Sequence, residues 1–281
     1  MIYSSLGYDK GHIVTRDRHD AGRRRFLGGA ALAAAWAAGR CLAPVPVRAF
    51  SGMRPAPSQP PAGCFALAQM RYAGDWDPEP AAPATLLEAL ARNTSVDPGA
   101  ERVVLGLGDD AIFSVPFLWV AGRGDFPVLT AVEIARLRAW LDAGGTLVAD
   151  DGTGVPGSPF DTGVRRELAR VYPDAPIARL PAEHTVFKSF FLIRSVAGRV
   201  AASPFLEGLS LRGRTCVILS PNDLFGAWAR DRGGGWVHEC RPGGDRQRRA
   251  SLHLGINIVL YALSGDYKQD RIHEPFIRRR S

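Results

Sequence analysis

From residue 64 onward the chain alternates two apolar patterns. Short runs are apolar at nearly every position: Phe65-Ala66-Leu67-Ala68-Gln69-Met70, then Arg102-Val103-Val104-Leu105-Gly106-Leu107, Pro116 to Ala121, Thr146-Leu147-Val148-Ala149, and Arg214 to Leu219. Their length and continuity predict strands buried on both faces. Between them lie stretches with apolar residues at helical spacing. Thr85 to Arg92 places Leu86, Leu87, Leu90 and Ala91 on one face, and Thr85 with Glu88 makes a capping box. Thr130 to Asp142 repeats the signature with Thr130 and Glu133, places Val132, Ile134, Leu137, Trp140 and Leu141 at helical spacing, and stops at Gly144-Gly145. Gly163 to Tyr172 and Leu252 to Ser264 complete the helices. Strands alternating with amphipathic helices predict an α/β fold: a mostly parallel sheet with helices on both faces. Phe187 to Arg214 breaks the rhythm, and its Phe190-Phe191-Leu192-Ile193 run suggests an antiparallel edge or a β-excursion.

The first 63 residues do not follow this pattern. Residues 22–28 read Gly-Arg-Arg-Arg-Phe-Leu-Gly, and an Ala- and Gly-rich apolar stretch runs from Phe26 to Gly39. At about 14 residues that stretch is shorter than the roughly 20 needed to span a bilayer. Two arginines, any residue and Phe-Leu, followed by a short apolar region and the small-residue site Val47-Arg48-Ala49, resemble a twin-arginine signal peptide over residues 1–49. The expectation is a precursor handled by the twin-arginine translocase and a mature periplasmic protein beginning at Phe50, with no transmembrane helix of its own. Residues 50–63, rich in Pro, Gly and Ser, read as a flexible lead-in to one domain over 64–281.

The leader changes the meaning of the charge. The whole chain carries a formal +7, but residues 1–49 hold eight basic and three acidic side chains, which leaves 27 basic and 25 acidic for the rest. A mature charge of +2 gives no electrostatic basis for binding nucleic acid. The clusters Arg246/Arg248/Arg249 and Arg278/Arg279/Arg280 read as solvated surface or tail. Of four cysteines, Cys41 leaves with the leader, and Arg40 before it argues against a lipoprotein site. Cys216, inside an apolar strand, reads as a buried inert thiol, and Cys64 and Cys240 are the pair available to a disulfide outside the cytoplasm.

Several segments match one family in order. They are Arg71-Tyr72-Ala73-Gly74-Asp75-Trp76-Asp77, Leu141 to Gly152, Pro181-Ala182-Glu183-His184, Gly213 to Asp223, and Gly255 to Lys268. Over roughly residues 64–280 the chain resembles domain-of-unknown-function family 4159. The resemblance implies a class I glutamine amidotransferase-like fold, which is a flavodoxin-like α/β sandwich; it names no activity or cofactor.

Amidotransferase chemistry needs a nucleophilic cysteine on a tight strand-to-helix turn and a histidine base. The most elbow-like turn carries Asp150-Asp151-Gly152 instead, so glutaminase activity is not expected. Ligands of open parallel sheets still sit beyond the strand carboxyl ends. Asp109 and Asp110 follow one strand, Asp150 and Asp151 another, and Ser220, Asn222 and Asp223 a third, with His184 in a loop able to join them. Such a set suits a divalent cation or an acid–base pair, while aspartates in these positions equally cap helices and close turns. Arg71, Tyr72 and Trp76 follow the first strand and offer stacking and anion contacts, or a structural loop pinned by Trp76. Trp119 reads as core, and His238, His253 and His273 as structural or surface residues. Two functions remain open: a non-catalytic module binding a cell-envelope partner or small polar ligand, and a periplasmic hydrolase with an Asp/His or metal-assisted site.

Overall fold

A computed structural model describes residues 65–264. The expected twin-arginine leader and lead-in, Cys64, His273 and the arginine-rich tail lie outside the described residues. Among the described residues there are seven strands: β1 (Ala68–Met70), β2 (Val103–Leu105), β3 (Phe117–Gly122), β4 (Thr146–Asp151), β5 (Ile177–Arg179), β6 (Glu207–Leu211) and β7 (Arg214–Ser220). They form one sheet in the order β2-β1-β3-β4-β7-β6-β5. The first five in that order pair in parallel, and β6 runs antiparallel to both neighbours. The parallel part has the flavodoxin-like order, with its topological switch point between β1 and β3.

Alternation along the strands splits the core in two. Phe117, Trp119, Ala121, Val148 and Ile218 meet α1 (Ala82–Asn93), α4 (Leu224–Trp228) and α5 (Gly244–Leu263). Leu118, Val120, Leu147, Ala149, Val217 and Leu219 meet α2 (Ala131–Asp142) and α3 (Pro159–Val171) on the other face. Trp119 is fully buried, stacked on Phe225 at 5.0 Å between ring centroids and edge-on to Trp228 at 5.5 Å. Such pairs add about 0.5–1.5 kcal/mol each beyond burial. Helix α5 approaches this cluster through Gly255, where a Cβ would lie 2.6 Å from the Trp228 ring.

The elements differ from the sequence reading where a cap or a charge misleads. Helix α2 starts as expected, with both bonds of the Thr130/Glu133 box present, but Val132 is exposed. Helix α1 begins three residues before Thr85, which is buried inside it; Pro83 in the first turn marks the start. Helix α5 begins eight residues before Leu252, because its arginine-rich first turns hide the periodicity. The antiparallel edge exists, but β5 and β6 make it. Residues 190–193 form no strand: Asn257 of α5 accepts from Phe191 N at 2.8 Å and donates to the carbonyls of Val186 and Phe191. A segment whose backbone is bonded to a helix side chain has fewer groups left for a ladder.

Candidate functional site

The strands β1, β3, β4 and β7 all end on one edge of the sheet, and the loops after them carry most of the expected residues. Asp150 and Asp151 are adjacent at the end of β4, so their side chains leave on opposite faces. Asp150 accepts from the backbone N–H groups of Leu224 and Phe225, both at 2.9 Å, and so holds the first turn of α4. Asp151 accepts from Thr153 N at 2.9 Å, Thr153 Oγ1 at 2.6 Å and Ser158 Oγ at 2.6 Å. Ser158 in turn caps α3 by accepting from Asp161 N. Asp223 sits in the left-handed region (φ 55°), caps α4 through Gly226 N at 2.8 Å and takes the Nε of Arg199. Asn222 exchanges two hydrogen bonds with the Ser203 backbone, and the Ser220 hydroxyl accepts from Asn222 N. Every carboxylate of this group is spent on the fold. Among the described residues, no three or more His, Cys, Asp or Glu side chains converge as metal ligands.

Asp150 and Asp223 are fully buried beside each other. Burial, with the Asp223 charge adding to it, pushes the Asp150 carboxyl up to about 8. Burial raises Asp223 as well, against the pull of Arg199.

The loop after β1 is also built for structure. The Tyr72 hydroxyl lies 3.0 Å from the carbonyls of Asp75 and Ala121, its ring packs on Phe126, and burial raises its pKa. The Trp76 ring lies 5.6 Å from the Arg102 guanidinium, which is bonded to both Asp77 carboxylate oxygens at 2.5 and 2.6 Å. Arg71 reaches Asp109 at 3.9 Å, and exposed Asp110 pairs with Arg136 at 3.0 Å. Asp109 and Asp110 follow β2, four strand spacings from β7, or about 19 Å. They share the edge with Asp223 without meeting it.

His184 is placed differently from the expectation. Its Nε2 lies 3.0 Å from Thr215 Oγ1, at the opening of β7, whereas Asp223 follows the close of that strand. Five residues of extended chain separate Thr215 from Ser220 by about 17 Å. The imidazole therefore belongs to the other end of the sheet, where its Nδ1 accepts from Val186 N.

The strand-end edge instead gathers residues that the sequence did not single out. Glu79, in the β1–α1 loop, bonds the guanidinium of Arg123, in the loop after β3. This pair bridges the switch point. Arg123 also donates to the carbonyls of Gly152 (3.2 Å) and Pro78 (3.5 Å). The same Glu79 Oε1 lies 2.5 Å from Nε2 of His238, in the α4–α5 loop. His238, Arg199, Val200, Val237, Glu239 and Arg241 line a cleft of about 270 Å³. A wider groove of about 550 Å³ lies between the loop after β3 and the start of α3, with Arg166 and Asp125 as its charged residues. Local chemistry holds the cleft loop: Arg248 of α5 donates to the carbonyls of Ala227 and His238, and Trp236 stacks between Arg248 at 4.3 Å and Arg230 at 4.1 Å. The helical position of Arg248 was the one available signal, and the surface-cluster reading obscured it. His253 packs as expected of a helix residue, stacked on Phe191 at 3.8 Å.

The model of the family described as a domain of unknown function (DUF4159) matches residues 66–263. The chain belongs to this family. No curated protein is similar to it. In this DUF4159 domain the quoted motifs do structural work at close contacts. A Cβ at Gly145 would lie 2.4 Å from the Trp140 ring, and one at Gly226 2.2 Å from Asp223 Oδ2. Among the described residues the thiols offer no nucleophile to the edge: Cys216 and Cys240 are buried, and burial pushes Cys216 up to about 11 and raises Cys240.

Proposed function

We propose that this DUF4159 protein is an exported ligand-binding module on an amidotransferase-like fold, and that the cleft at Arg199 and His238 is its binding site. The observation that carries the reading is the anchoring of the cleft's donors. Buried Asp223 holds Arg199 by Nε, and buried Glu79 holds both Arg123 and His238. Side chains held in one geometry before binding lose less entropy when a ligand arrives. The location beyond the strand carboxyl ends, beside the switch point, agrees with where such sheets bind ligands. A small polar ligand suits the cleft's size, and a cell-envelope protein is the other partner class considered. The twin-arginine pattern of residues 22–28 supports a periplasmic location for the mature protein. The test is native against denaturing mass spectrometry of the protein recovered from the periplasm of its own host. A native mass above the chain mass supports a held ligand; equal masses in protein taken directly from the periplasm count against one.

One observation favours a second reading, a hydrolase. Glu79 accepts from Nε2 of His238 and leaves Nδ1 as a proton acceptor beside the cleft, an orientation used in general-base catalysis. This pair replaces the Asp/His184 site in that reading. Hydrolysis of an ester or amide panel that disappears in His238→Gln, with the melting temperature kept, would establish it; no turnover across the panel would end it.

A further inference from the structure

The donors lining the cleft point to the chemistry of its ligand. We propose that the cleft seats the acidic group, a carboxylate or a phosphate, of a small molecule between Arg199 and Arg241. This rests on the reading of the cleft as the binding site.

Arg199 spends Nε on Asp223 and Nη2 on the Thr153 carbonyl at 3.4 Å; its Nη1 makes no hydrogen bond among the described residues. Arg241 spends Nε on Glu239 at 3.1 Å and leaves both Nη groups without a hydrogen bond among the described residues. His238 spends Nε2 on Glu79, and its Nδ1 has no hydrogen-bond partner among the described residues. The acids that anchor Arg199 and His238, Asp223 and Glu79, are buried and do not line the cleft. Arg123 is turned to Glu79, Gly152 and Pro78, and Arg248 to backbone carbonyls, so neither competes for the ligand. The lining therefore presents two guanidinium groups against one carboxylate, Glu239.

Guanidinium N–H groups match the paired oxygens of a carboxylate or phosphate. An uncharged ligand would leave these donors with neutral acceptors, which make weaker bonds. The backbone connects the two arginines directly, because Arg241 N donates to the Arg199 carbonyl at 2.8 Å. That bond holds the two main chains side by side, so both side chains start from one place on the cleft wall. A cleft of about 270 Å³ is at the small end for ligand pockets, and fits an acidic group on a body of few atoms.

The experiment is isothermal titration of the exported protein with succinate and, separately, inorganic phosphate. Saturable binding of either is expected, weakening with added salt. Arg241→Gln, at an exposed position, should lower that affinity about tenfold without moving the melting temperature. Arg199→Gln should lower it further, and its melting curve will show whether Asp223 tolerates losing its partner. A preference for succinate assigns a carboxylate ligand, and a preference for phosphate a phosphorylated one. No saturable binding of either anion, or equal affinity in wild type and Arg241→Gln, overturns the proposal. If the native mass spectrum then shows an uncharged molecule, the binding-module reading stands and only the acidic-ligand inference falls. If the spectrum shows no ligand and neither anion binds, both fall.

Discussion

Asp150 illustrates how a residue that looks chemical is committed to structure. Two backbone N–H groups and the neighbouring Asp223 surround it, away from water. Its folded carboxyl keeps a proton up to about pH 8, whereas a free aspartate gives it up near about 3.9. Between those values the folded state holds the extra proton. The stability this group contributes is therefore complete below the unfolded value and is lost as pH rises through 8. Denaturant titrations should show stability falling from about pH 5 to pH 8, by at most about 1.4 kcal/mol per unit from this group. Asp150→Asn should flatten that slope while lowering stability overall, since an amide accepts with only one oxygen. An unchanged slope in the variant would assign the effect elsewhere. Gly122 makes a second residue-scale case. A Cβ there would lie 2.0 Å from the Tyr72 hydroxyl and 2.7 Å from the Phe160 ring. Gly122→Ala should cost about 1–3 kcal/mol. Adding Tyr72→Phe should return part of that cost in a double-mutant cycle, because it removes the nearer clash and leaves the farther one.

At the scale of elements, capping chemistry was readable where it was local and misleading where a partner was distant. Thr130 and Glu133 satisfy each other within one turn, so four residues of sequence suffice. Thr85 and Glu88 carry the same spacing inside a helix that Pro83 has already begun, and the box does not form. The start of α5 was hidden because Arg248 is buried, its charge met by two carbonyls and Trp236. In the excursion after β5, Asn257 ties residues 186–191 to α5 through three hydrogen bonds. Asn257→Ala leaves the Phe191 N–H and two carbonyls without their partner, at about 1–3 kcal/mol for a buried group so exposed. Amide exchange at residues 186–193 should speed up by at least an order of magnitude, with that of β3 and β4 slowed or sped far less. Uniform acceleration over the whole sheet would show instead that the excursion unfolds only with the domain.

Over the described residues, the parallel order β2-β1-β3-β4-β7 brings five loops to one edge, and β6, antiparallel to both its neighbours, and β5 extend the sheet on the far side. Among the described residues no helix is long and apolar enough to cross a membrane. The export proposal concerns the chain before residue 50, and it is tested by the twin arginines themselves. Replacing Arg23 and Arg24 together by lysine should leave the precursor in the cytoplasm and abolish the periplasmic form in a fractionated host. Mature protein in the periplasm of that variant would remove the twin-arginine assignment. Binding at the cleft should survive in protein refolded without the leader, since every cleft residue lies between 199 and 241 and each anchor between 79 and 248.

The sequence by itself determined what depends on neighbours along the chain: five buried strands, the alternation of strand and helix, the Thr130 cap, the core position of Trp119, and the absence of a cysteine at the strand-to-helix turn. Periodicity and capping act within a few residues, so a linear reading captures them. Tertiary structure decided which polar residues were already spent. Asp150, Asp151 and Asp223 stand at strand ends in the sequence just as functional carboxylates would, and only the fold shows each one accepting backbone or hydroxyl hydrogens. It also separated His184 from them by the length of a strand and brought in His238 from 159 positions beyond its partner Glu79. A hydrogen bond between residues so far apart leaves no spacing to read, because the distance between them is set by the sheet.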